Sequence, residues 1–183
     1  MFSAPQSPRI QKGFSLIEML LVLGVLAVLL IGAFVVYPKV QAANQAKNEI
    51  ANLNYIKASI NNLYASKGGN YEGLTTSLAN QARAFPSSMN SGVYTGEAIL
   101  NSFGGGVSIV DVAASNARTF NIYYRNVPEN VCLSLVAGAS GNFKDITVGG
   151  NSVYKKVNGT SSFDIEEAAK NCYGLRGVVF ISD

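Results

Sequence analysis

QKGFSLIEMLLVLGVLAVLLIGAFVVYPKV, residues 11–40, is the stretch on which the fold turns. From Met19 to Tyr37 it runs 19 residues without a charge. As a helix that run spans ~28 Å, close to the hydrocarbon thickness of a bilayer. Arg9 and Lys12 precede it and Lys39 follows it, so charge bias sets its orientation only weakly. A cleaved secretory signal would be shorter and end in small residues, whereas this run passes directly into a polar helical pattern. Glu18 does not fit a plain anchor. On insertion scales a carboxylate costs ~2.5–3.5 kcal/mol at the centre of a span and less near its end. It either reaches the headgroups and does nothing more, or it waits for a positive partner that arrives on assembly.

Outward from that run, VQAANQAKNEIANLNYIKASINNLYASKGGNY reads as an amphipathic helix. Leu53, Ile56, Ile60 and Leu63 share one face with Ile50 beside them, and Gly68-Gly69 stops the pattern. A helix from Phe14 to Ser66 would be ~80 Å long, so its first half is expected to project from whatever its second half packs on. The remainder reads as a head of short strands and helices. YEGLTTSLANQARAFP is expected to hold a short helix, and GGGVSIVDV and RTFNIYYRNV read as strands, with Phe120, Ile122 and Tyr124 on one face. PENVCLSLVAG reads as a helix opened by Pro128 and closed by Gly138, and FKDITVGGNSVYKKV as a hairpin turning at Gly149-Gly150. SSFDIEEAAKNCYG carries acids early and a lysine late, as a short helix should, and GVVFISD reads as a final strand.

The chain has no histidine, which removes the commonest general base and zinc ligand. Of 14 basic residues two precede the apolar run, leaving 12 against 11 acids, a near-neutral balance with no nucleic-acid footprint. Cys132 and Cys172 read as one disulfide if the head is exported, and as two buried thiols otherwise.

KGFSLIE resembles the processing site of type IV prepilins and pseudopilins. The order of late helix, cysteine, glycine-bearing loop and terminal strand is similar to type IVb major pilins, the group of the toxin-coregulated and conjugative thin-pilus pilins. That resemblance implies an α+β fold: a long N-terminal helix with a membrane-inserted first half, packed on a globular head with an antiparallel sheet and one disulfide, Cys132–Cys172. It implies a leader, 1–13, removed after Gly13 by a prepilin peptidase, and N-methylation of the new N-terminus, Phe14. Residues 14–38 would form the transmembrane and filament-core helix, bent near Gly32 and Pro38. Residues 39–66 would pack on the head, 67–183. Glu18, fifth in the processed chain, would pair with the Phe14 amine of a neighbouring copy, because either charge alone in an apolar bundle is costly. The implied partners are further copies in a helical polymer, the membrane before assembly, and an inner-membrane platform with its ATPase. No cofactor, metal or nucleic acid is expected. The precursor would sit in the bacterial inner membrane, and the product in an extracellular pilus used for adhesion, aggregation or conjugative contact. A type II secretion pseudopilin, a minor pilin and a membrane-anchored binding module are the alternatives.

An enzyme has little to work with. Ser152–Lys155 matches S-x-x-K by spacing alone, without the accompanying motifs. Gly104–Gly106 lacks the lysine and hydroxyl of a phosphate loop. Asp164, Glu166 and Glu167 read as a solvated helix start rather than an acidic site. Asn158-Gly159-Thr160 is a glycosylation sequon by pattern only, and Tyr123-Tyr124-Arg125 reads as alternating strand faces.

Overall fold

A stripe of small and branched residues at helical spacing (Ala42, Ala46, Leu53, Ile56 and Ile60) is buried along one face of a long helix. In the computed structural model, which describes residues 14–89, 99–112 and 118–182, that helix is α1, Leu16–Tyr64. It is continuous through Pro38. A single 3₁₀ turn, Ala65–Lys67, follows and ends at Gly68 in the left-handed conformation, where the sequence places the stop.

The chain divides into two compact units, Met1–Lys39 and Val40–Asp183. In the second unit α1 is followed by α2 (Thr76–Gln81), β1 (Val107–Asp111), β2 (Phe120–Val127), α3 (Glu129–Ala139), β3 (Asp145–Val148), β4 (Asn151–Val157), β5 (Thr160–Phe163), α4 (Ile165–Asn171) and β6 (Arg176–Ser182). The six strands form one sheet in the order β1-β2-β6-β3-β4-β5, every pairing antiparallel. Period-2 alternation puts Ile109, Ile122, Phe180, Ile146 and Tyr154 in one buried row across it. These residues, the α1 stripe and Val131, Leu135 and Val136 of α3 make a single core.

The expected elements form, with three differences of detail. Leu63 is 41% exposed, and the last core position of α1 is Tyr64 instead. Four residues beyond Ile60 continue the stripe better than three, because at about 100° per residue Tyr64 lies about 20° from the direction of Leu53 and Leu63 about 80°. Gly138 does not close α3, which runs on to Ala139 with Ser140 as its cap. A Cβ there would stand 2.4 Å from Ile50 Cδ1, so this glycine permits close approach of α3 to α1. β5 was not expected as a strand. It is short and lies at the sheet edge, and the turn that forms it is Asn158-Gly159, with φ of +50° and +83°. That asparagine–glycine pair is the turn chemistry of a two-residue hairpin. The hairpin at Gly149-Gly150 forms as expected, both glycines at positive φ. In the middle third, Thr76 Oγ1 accepts from the Ile109 N–H at 2.8 Å and lies 3.0 Å from the Ile109 carbonyl, tying α2 to β1.

Cys132 and Cys172 are joined, 40 positions apart, and clasp α3 to the end of α4. Asp164 caps α4 by accepting from the Glu167 N–H at 2.9 Å, so the acidic stretch is the helix start it was read as.

Candidate functional site: the start of α1 and the buried Glu49 cluster

At the beginning of α1, Ser15 stands outside the helix and Glu18 lies three residues on. The Glu18 N–H donates to Ser15 Oγ at 3.3 Å and to the Ser15 carbonyl at 3.1 Å. Serine followed three positions later by glutamate is the spacing of a capping box, and a carboxylate in the first turn also suits the positive end of the helix dipole. The bonds themselves use the Glu18 backbone, so what its carboxylate adds locally is its place at the positive end of the helix. Phe14 is 78% exposed; Gly13 lies outside the described residues.

From Leu16 onward the helix is apolar on every side, and its large apolar side chains are exposed. Leu20, Leu23, Leu26, Leu30 and Phe34 all lie between 48% and 77% exposed. An 18-residue window of this segment has mean hydropathy 3.1 and none of it is buried. Each such side chain left in water forgoes ~1.5–3 kcal/mol. A segment this long and apolar calls for lipid or other apolar helices around it.

The second half of α1 contains a group that the sequence pattern conceals. Glu49 is fully buried on the core stripe, between Ala46 and Leu53. Three donors converge on its carboxylate: the Ser102 N–H at 2.7 Å, the Tyr124 hydroxyl at 3.0 Å and Asn52 Nδ2 at 3.3 Å. A buried carboxylate is tolerated only where its oxygens are satisfied in this way. Burial pushes the Tyr124 hydroxyl well above the usual phenol range, and the charge and hydrogen bond of Glu49 push it further in the same direction. Beside it, Asn101 Oδ1 accepts from the Phe103 and Gly105 N–H groups at 3.0 and 2.8 Å, and its Nδ2 donates to the Arg125 carbonyl at 2.8 Å. That carbonyl faces out of an irregularity in β2 between Tyr124 and Val127. A Cβ on Gly105 would meet it at 1.8 Å, so only glycine fits. Glu49 and Asn101 together hold the 99–106 segment against α1 and β2. The signal available in the sequence was Glu49's place on the apolar face, four residues before Leu53.

The predicted residues thus fall into separate places. Phe14 and Glu18 sit at the start of α1, Gly32 and Pro38 lie within it, and Cys132 with Cys172 lies in the second unit. Among the described residues no group of three or more histidine, cysteine, aspartate or glutamate side chains could hold a metal ion.

Comparison with known proteins agrees with this arrangement at both ends of the chain. Residues 8–34 match the prokaryotic N-terminal methylation motif, and residues 43–183 match the family described as PilS N terminal. An apolar helix that carries this methylation motif, followed by a disulfide-clasped antiparallel head, defines a type IV pilin of the type IVb group. Within it, the chain belongs to the PilS N-terminal family. It is 25% identical over 155 residues to the major structural subunit of bundle-forming pilus from Escherichia coli O127:H6, covering 83% of this chain and 79% of that relative. The corresponding subunit of Escherichia coli O111:H- is 26% identical over 135 residues, covering 74% of this chain and 68% of the relative. The fold is shared with the crystal structure of TcpA, a type IV pilin from Vibrio cholerae El Tor biotype. The TM-score is 0.54 at 18% identity, covering 78% of this chain and 99% of TcpA.

Proposed function

We propose that this pilin is the repeating subunit of a surface pilus. The observation that carries the reading is the long, exposed apolar run of α1 that follows Phe14 and Glu18. The precursor inserts this helix in the inner membrane. A prepilin peptidase cuts after Gly13, and the new Phe14 amine is methylated. A free amine with a reference pKa of ~7.7–8.0 is mostly protonated at neutral pH. As the platform and its ATPase extract the subunit, Glu18 docks on the Phe14 amine of a copy already in the filament. Lipid contacts along α1 are exchanged for contacts with other copies, and Gly32 and Pro38 give the helix freedom to bend in the core. The heads form the outer wall and supply adhesion, aggregation or mating contact.

The test is the intact mass of protein sheared from the surface of cells making this chain. The reading expects a polypeptide starting at Phe14, two hydrogens light for the Cys132–Cys172 bond and carrying one methyl group at its N-terminus. A processed chain that never leaves the membrane would point to a pseudopilin instead. A chain left uncut at Gly13 would overturn the reading.

A further inference from the structure

The sheet has a second face, turned away from the core. Strand registry places Val110, Asn121, Ile181, Asp145, Lys155 and Ser162 in one row across it, next to the buried row of Ile122 and Phe180. A groove of about 410 Å³ opens on this face. Its floor includes Ile181 and Val157, and Lys144, Lys155 and Lys156 line it. None of these three ammonium groups has an ion pair among the described residues. The acid in the groove, Asp145, already accepts from Ser152 Oγ at 2.7 Å. Asn121 also lines it; its Nδ2 donates to the Tyr123 hydroxyl at 3.3 Å, while its Oδ1 is shut from solvent with no hydrogen-bond partner. The groove therefore wants an occupant that is apolar at its centre and carries a carboxylate at its edge.

The same chain carries a segment of that chemistry. In Asp164–Glu167, Ile165 is 60% exposed. Asp164 is engaged in capping and Glu167 Oε1 accepts from Asn171 Nδ2 at 2.8 Å, but Glu166 is exposed and has no partner among the described residues. We propose that the lysine-lined groove on the outer face of the sheet receives the Ile165–Glu166 knob of a second copy of this chain. Ile165 covers Val157 and Ile181, and the Glu166 carboxylate meets Lys155 or Lys156. Groove and knob are different surfaces of one head, so the contact is heterologous, and its repetition builds an open helical array rather than a closed dimer. The inference rests on the pilus reading and names the head surfaces that subunits of the polymer use.

Its test uses filaments of the full chain. A photoreactive benzoylphenylalanine replaces Val157, and the chain is made in cells moved from ¹⁵N to unlabelled medium before filament assembly is induced, so that each filament holds subunits of both kinds at crosslinking and peptide mass analysis. The proposal expects mixed-isotope crosslinks from position 157 to residues 164–167. In parallel, Lys155→Glu with Lys156→Glu should lower filament yield about tenfold, the effect of ~1.4 kcal/mol per contact, and adding Glu166→Lys to the same chain should restore much of it. Filaments that form normally while position 157 crosslinks elsewhere, or only within its own copy, would overturn the proposal and leave the pilus reading standing. Normal yield from the lysine reversals would do the same. Absence of filaments from the unaltered chain would remove the pilus reading and this proposal with it. Should the lysine reversals lower the melting temperature of the head, the crosslink alone decides.

Discussion

The two halves of α1 are one continuous helix with opposite sequence logic. Before Lys39 the helix is apolar all round and exposed; after Val40 it is apolar along one stripe, and that stripe is buried. Periodicity separates the two. A stripe is enough for a helix that packs on one side, whereas a helix apolar on every side must be surrounded. The second half therefore buries its stripe in the core of its own unit, while the described apolar side chains of the first half are exposed. Each half also carries one carboxylate. Glu49 has its hydrogen-bond partners inside the fold, and the side chain of Glu18 is left exposed at the start of the helix.

The largest expected effect is at Glu18. Glu18→Ala should abolish sheared filaments while leaving the head's melting temperature in place. Normal filaments from this variant would reduce Glu18 to a helix cap. Next, Cys132→Ser with Cys172→Ser should cost the head ~2–4 kcal/mol in denaturant unfolding. Glu49→Ala strands the Tyr124 hydroxyl and the Ser102 N–H and should cost about 1–3 kcal/mol, with Glu49→Gln losing less because its amide oxygen still accepts. An unchanged midpoint for Glu49→Ala would break the contrast between the two acids.

A smaller effect concerns pH. Tyrosines of the unfolded chain ionise near 10. In the folded head burial raises Tyr124, with Glu49 adding to it, and burial followed by the charge of Asp111 raises Tyr64. The folded state therefore holds protons that the unfolded state has lost. Their contribution is complete below about pH 10 and declines as pH rises towards and through the folded values. Urea midpoints measured from pH 8 to 11 should fall above 10, and Tyr124→Phe should flatten that fall. Smallest of all, Leu26→Ala removes an exposed side chain and should leave head stability within about 0.5 kcal/mol. A clear drop would mean that the first half of α1 supports the head.

Much of this was legible in the sequence because local rules and tertiary packing agree. The apolar run, the stop at Gly68, the strand alternation at Phe120, Ile122 and Tyr124 and the turn at Gly149-Gly150 each follow from one periodicity or one turn chemistry. The exceptions have physical reasons. Gly138 resembled a helix stop because glycine has two uses, and only the approach of Ile50 distinguishes close packing from capping. Leu63 and Tyr64 differ by a single step of about 100°, which aliphatic pattern alone assigns to the wrong neighbour. Glu49 was passed over because a charge on an apolar face reads as an interruption until its donors from Ser102 and Tyr124, more than 50 positions away, are in place. At the other end of α1, KGFSLIE was readable at once because it resembles a known motif, and residues 8–34 match the prokaryotic N-terminal methylation motif.

The most direct test is an electron cryo-microscopy reconstruction of the sheared filament, refined until side chains in its core are resolved. The account predicts that residues 14–38 are covered entirely by the same segment of other copies, with the Phe14 nitrogen within about 4 Å of a neighbour's Glu18 carboxylate, the reach of an ion pair. A filament in which Glu18 faces solvent, or in which the apolar half of α1 is not the core, would contradict it.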